Sequence, residues 1–256
     1  TIKKLTENKR LVTEKTTMAY QQDFRTLGMT LNDRLSYQEW VDVYKKLIYW
    51  ELELEKLEDE GMHEILTLQK AEANVQFGKF IEKNYIDWIK NPDDGPITSP
   101  QLFKKKVFPK MEGKGPVFFI LIDNLRYDQF KIINPIISEY FRVEEEDTYY
   151  SILPTATQYA RNAIFSGLMP LDMEKRFPGM WQNDEDEGGK NLFEEQFLAD
   201  QLKRVLRKDS KFSYHKILNI DEGRALNDSV NNLMNNDLNV VVYNFVDMLS
   251  HARTDM

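Results

Sequence analysis

The stretch Pro116–Asp123, PVFFILID, decides the fold, and the chain then continues Asn124-Leu125-Arg126-Tyr127-Asp128. An unbroken apolar run rich in Ile, Val and Phe suits a strand buried on both faces of a parallel sheet. An aspartate at the C-terminal end of such a strand emerges at the edge where open α/β sheets bind ligands. A carboxylate there must be paired, hydrogen-bonded or metal-bound, because an isolated buried charge is very costly. Asp123 is therefore a candidate metal ligand. An ion pair with Arg126, or a cap for the segment opening at Asn124, would account for it as well.

Working outward, Tyr149–Leu153, Phe212–Leu218 and Asn239–Val246 also read as strands beside Val117–Ile122. Helices are expected over about Gln158–Phe165, Leu192–Arg207 and Asp221–Met234. Strand and helix in alternation predict an α/β domain, a mostly parallel sheet with flanking helices. The acidic, glycine-bearing segment Gln182–Lys190 reads as an exposed loop.

Before this region the pattern is helical, with no proline until Pro92. Leu11, Met18, Phe24 and Leu27 give a first amphipathic stretch that ends near Gly28. Ser36 with Glu39 forms a capping box, and Leu35 with Trp40 a hydrophobic staple across it. Trp40, Val43, Tyr44, Leu47, Leu54 and Leu57 recur at helical spacing, with Gly61 as the stop. A third helix carries Ile65, Leu68, Ala71, Val75, Ile81, Tyr85 and Trp88. Three amphipathic helices with short breaks imply a three-helix bundle over 1–92. Its role is either dimerisation and signal relay or plain packing, and its aromatic stripe reads as core. The turn-rich Asn91-Pro92-Asp93-Asp94-Gly95-Pro96 opens a linker over 93–115, with the sheet domain at 116–256.

Composition narrows the chemistry. Hydrophobic residues make up 41% and charged residues 30% of 256, which suits a globular chain. The formal net charge of −8 argues against gripping long duplex nucleic acid through a general positive field. With no cysteine, neither a disulfide framework nor a thiolate metal site can form. No apolar stretch approaches the roughly 20 residues of a membrane span, and TIKKLTENKRLVTEK lacks a signal-peptide core. The expectation is a cytoplasmic protein. Because the chain starts inside a helical pattern without a methionine, a preceding segment is expected.

Two later strand ends carry chemistry of their own. Thr157 follows Pro154 and opens the helix TQYARNAIFSG. It can serve as an N-cap, or its hydroxyl can stand beside helix amides that suit phosphate oxygens. A hydroxyl is a poor nucleophile until a base or metal lowers its pKa, and Thr155 competes for the role. After the apolar strand Val240–Val246, Asp247 and His251 lie four residues apart, so one helical turn puts both on one face. Carboxylate with imidazole suits zinc, with manganese or iron as alternatives. A surface acid and an unrelated histidine are the plain alternative.

In order, these segments resemble the alkaline phosphatase superfamily, and more closely its PglZ branch. Asp123-Asn124-Leu125-Arg126-Tyr127 resembles that branch's Asp-x-Leu-Arg-Tyr. Leu153-Pro154-Thr155-Ala156-Thr157 resembles the superfamily's Pro-Thr-x-Thr nucleophile segment, which implies Thr157 rather than Thr155. Asp247-Met248-Leu249-Ser250-His251 resembles an Asp-x-x-x-His that supplies two ligands to one metal. The resemblance implies a catalytic Thr157 and two zinc ions, with manganese as an alternative. Asp123 and Thr157 would hold one ion, Asp247 and His251 the other. Arg126 and Arg161 are weaker substrate-binding candidates, with ion pairing as the plainer role.

The helical region placed before such a domain is similar to PorX-like response regulators linked to type IX secretion. That similarity implies a zinc-dependent phosphodiesterase acting on small oligonucleotides or nucleotide phosphodiesters. It also implies a homodimer in the activated protein, with a sensor kinase, a sigma factor and the secretion machinery as partners. The superfamily uses three histidines and a further aspartate, whereas His63 and His215 match no motif. The missing ligands are expected beyond Met256, so this fragment is expected to be inactive by itself. The non-catalytic alternative is a signalling and assembly module on the same fold.

Overall fold

In a computed structural model, residues 2–57, 60–113, 115–182, 191–244 and 246–249 are described. The helices and strands run in the order α1 (Ile2–Thr30), α2 (Tyr37–Leu54), α3 (Glu60–Lys90), β1 (Val117–Ile122), α4 (Tyr127–Ile137), α5 (Thr157–Ser166), α6 (Pro170–Arg176), α7 (Glu194–Leu206), β2 (Phe212–Ile217), α8 (Ile220–Leu233) and β3 (Leu238–Tyr243). They form two compact units. Thr1–Gly95 joins Arg126–Glu144 in the first, and Pro96–Leu125 joins Glu145–Met256 in the second. Among the described residues, no helix is long and apolar enough to cross a membrane.

The first unit is the expected bundle with one addition. Ser36 is the N-cap of α2, and its capping box with Glu39 is formed. Tyr20, Leu27, Trp40, Val43, Leu47, Trp50, Leu54, Leu66 and Ala73 fill the core. Asp23 accepts hydrogen bonds from Lys46 Nζ at 3.1 Å and Trp50 Nε1 at 3.0 Å, tying α1 to α2. Gly61 is not the stop for α2: that helix ends at Leu54, and Gly61 lies inside α3. On α3 the inward face carries Leu66, Gln69 and Ala73, while Leu68 and Val75 are exposed. The addition is α4, whose Tyr127 ring lies 5.9 Å from that of Tyr44 on α2.

The expected linker is ordered instead. Gly95 passes so close to Trp88 that a Cβ there would sit 2.6 Å from its ring. The chain beyond folds into 3-10 and π-helical turns, Ser99–Gln101, Phe103–Val107 and Phe108–Glu112. Phe103, Val107, Phe108 and Met111 are buried there because they form part of the second unit's core.

The sheet of that unit is parallel, with strand order β1-β3-β2. One face carries Val117, Phe119, Leu121, Leu238, Val240, Val242, Phe212 and Tyr214. It packs on α5, α6, α7 and the 3-10 and π-helical turns. On the other face α8 packs over β2, where Gly223 approaches Ile217. β1 is therefore covered on one face only, where Val117, Phe119 and Leu121 are half-buried, contrary to the expectation from its apolar run. Phe118, Ile120 and Ile122 are exposed on the other, with Ile120 at 58%.

The expected strand at 149–153 is reduced to a single bridge between Thr98 and Tyr150. The partner segment leaves the ladder at Ser99 to begin a 3-10 turn, so Ile152 N–H donates to the Ser99 hydroxyl instead. Of the expected loop at Gln182–Lys190, residues 183–190 lie outside the described residues.

Candidate active site at the strand ends

The last rung of the β1–β3 ladder places Asp123. Its N–H donates to Tyr243 O at 2.9 Å, so the carboxylate leaves the sheet beside the end of β3. Asn124 then adopts φ 60, the left-handed region that Asn tolerates better than most residues. Burial pushes the Asp123 carboxyl above its ordinary pKa; Arg161 opposes the rise, and the charges of Asp247 and Glu194 add to it. Asp247 lies on the helical turn at 246–249, where Met248 N–H donates to Asn244 O. The first and third segments are thus electrostatic neighbours. His251 lies outside the described residues.

Thr157 opens α5 as its first helical residue and is half-buried. The N-cap position belongs to Ala156, whose side chain can accept no hydrogen bond. Thr157 therefore does not serve as the cap, and Thr155 is exposed.

One turn further along α5, Arg161 is 4% exposed. Its Nε and Nη2 fork onto the two carboxylate oxygens of Glu194, itself 1% exposed. Nη1 donates to Asp123 Oδ2 at 2.7 Å and to Asn244 Oδ1 at 3.0 Å. Glu194 also accepts from Tyr214 OH at 2.6 Å, with Lys216 Nζ 3.5 Å away. Burial and the Glu194 charge push the Tyr214 phenol well up. A buried arginine held by two carboxylates keeps its charge compensated, which an unpaired one could not. The sequence reading missed Glu194, Tyr214 and Asn244. The available signal was Arg161 itself, since an arginine amid small and apolar helix residues calls for a carboxylate partner.

Arg126 has no such environment. It is largely exposed and forks onto Asp128, with Nε and Nη2 at 3.0 and 2.7 Å, within the first unit. His63 lies on α3 of the bundle. His215 lies on β2 with Nε2 3.1 Å from Ser213 Oγ, and burial holds its pKa below the usual value.

Among the described residues, no group of three or more His, Asp or Glu side chains gathers as a metal cage. The donors present still fit a cation in kind. Asp123 and Asp247 are oxygen donors, and the charge of Asp247 disfavours an ionised Asp123, a penalty that a bound divalent ion would reverse.

A search of the curated proteins finds no match. Residues 10–89 match the PorX response regulator linker domain. Residues 102–256 match the BREX system PglZ alkaline phosphatase-like domain, which covers more than half of the sequence, and the chain belongs to that family.

Proposed function

We propose that the second unit is the output module of a two-component response regulator, a metal-dependent phosphodiesterase for small oligonucleotides or nucleotide phosphodiesters. Membership of the alkaline phosphatase-like family makes a phosphoesterase-type module the coarse reading. The observation that supports the finer one is that the charge of Asp247, on the turn after β3, bears on Asp123 at the end of β1, whose carboxyl burial raises. Asp123 with Thr157, and Asp247 with His251, would hold two zinc ions, with manganese as the alternative. When bound, such ions supply Lewis-acid stabilisation of phosphoryl oxygens and of ionised hydroxyls.

The chain's own residues supply the rest. Thr157 would offer Oγ1 as the nucleophile: its proton passes to solvent, and a bond forms from Oγ1 to phosphorus as the bond to the leaving ester oxygen breaks and that oxygen takes up a proton. Water then attacks phosphorus to release the phosphorylated product and restore the hydroxyl. The first turn of α5 directs its amides toward the same end of the helix, where an anion is favoured. The homodimer, the sensor kinase, sigma factor and secretion partners, and the cytoplasmic location belong to the same proposal.

The test is turnover of a dinucleotide diester by the intact protein with zinc. Thr157→Ala should lower it at least about 100-fold; an unchanged rate would remove the nucleophile assignment. A second reading, a non-catalytic signalling and assembly module, draws on the bundle's separate core. It predicts no hydrolysis by the intact protein and a solution mass that zinc leaves unaltered.

A further inference from the structure

We propose that Arg161 is a positioning residue: clamped by Glu194, it fixes the Asp123 carboxylate and ties Thr157's helix to the ends of β1 and β3. The inference rests on the cation site proposed above and deepens it.

The geometry divides the guanidinium into two halves. Nε and Nη2 are committed to Glu194, which is itself held by Tyr214 OH at 2.6 Å and has Lys216 Nζ nearby. With Arg161 4% and Glu194 1% exposed, neither side chain can swing into water to find another partner. The remaining nitrogen, Nη1, is left with Asp123 Oδ2 and Asn244 Oδ1. Holding Oδ2, with the Asn124 N–H also donating to the carboxylate, fixes the direction of the group, and a carboxylate keeps further lone pairs for a cation. Because Glu194 compensates the arginine, the clamp brings little net charge to oppose that cation.

Helical spacing adds the second half of the inference. Thr157 and Arg161 are four residues apart on α5, so they share one helix face. The bond from Nη1 to Asp123 therefore sets how far the Thr157 hydroxyl stands from the β1 end. The bond to Asn244 does the same for β3, whose following turn carries Asp247. Partners of this kind orient the donors of a metal site, and removing them lowers metal affinity about 10–100-fold.

The experiment is a calorimetric zinc titration of the intact protein, with thermal unfolding recorded for each variant. Arg161→Lys keeps a charge opposite Glu194 but cannot span both carboxylates. It should weaken zinc binding about 10-fold or more while cooperative unfolding persists. Asn244→Ala, which leaves the buried pair intact, should weaken binding by a smaller factor. Wild-type zinc affinity in a folded Arg161→Lys protein would overturn the inference. Should that variant fail to fold, unaltered affinity in Asn244→Ala would overturn it instead. If the wild-type protein takes up no zinc, the proposed function falls, and this inference with it.

Discussion

Tyr214 donates its phenol to Glu194 at 2.6 Å, joining strand β2 to helix α7 through a partly buried polar contact. A hydrogen bond to a charged acceptor contributes about 1.5–3 kcal/mol, more than a neutral one. Tyr214→Phe should therefore lower stability by about that amount in urea unfolding while leaving the ring packing intact. An unchanged midpoint would mean that Lys216 suffices to satisfy Glu194.

In the bundle, Tyr20 gives the opposite sign. Its ring is buried in the core, yet its hydroxyl meets no hydrogen-bond partner among the described residues. Tyr20→Phe should stabilise the protein by about 1 kcal/mol, since it removes an unsatisfied buried group. Burial also pushes the Tyr20 phenol up to about 12. The folded state then holds a proton that the unfolded chain releases near pH 10. Stability should fall as pH rises from about 10 to 12, and Tyr20→Phe should flatten that part of the profile.

Gly167 closes α5 at φ +64, and a Cβ added there would run into the buried Gln201 side chain. Gly167→Ala meets both the left-handed backbone cost and overpacking. Together they should destabilise by about 2–4 kcal/mol, read as a drop in the thermal midpoint. A loss of only about 1–2 kcal/mol would show that Gln201 moves aside and the backbone cost alone remains, and a midpoint equal to wild type would count against both costs.

At the head of α2, Ser36 Oγ accepts from Glu39 N–H at 3.2 Å. Ser36→Ala should cost about 1 kcal/mol in urea unfolding. The reciprocal bond from Ser36 N–H holds the Glu39 carboxyl below its usual pKa. Its stabilisation is present above the unfolded pKa and is lost as pH falls through the folded value. The capped helix should accordingly weaken in acid. A Ser36→Ala protein with wild-type stability at neutral pH would count against the cap.

The parts legible in the sequence were those with a local signature. The Ser36 cap, the bundle helices and the strands at 117 and 212 follow from spacing and capping chemistry that act within a few residues. Misreadings arose where a distant partner decides the outcome. An all-apolar run conceals whether one face of β1 or both are covered, and Ile120 became exposed because α8 packs over β2. The strand at 149–153 needed a straight neighbour, and Ser99-Pro100 turned that neighbour away. At the site, Asp123 was visible from its place after a strand. Glu194 was not, because an acid in the first turn of a helix normally faces solvent and favours the helix dipole. Only the fold brings Arg161 to it.

The strand order β1-β3-β2 also has a consequence for biosynthesis. The central strand is the last of the three to leave the ribosome, and Val117 and Phe212 share Leu238 as a neighbour without pairing each other. Among the described strands, β1 and β2 have no sheet partner until residues 238–243 emerge. The exposed apolar edge of β1 must wait through that interval, a natural point for chaperone capture.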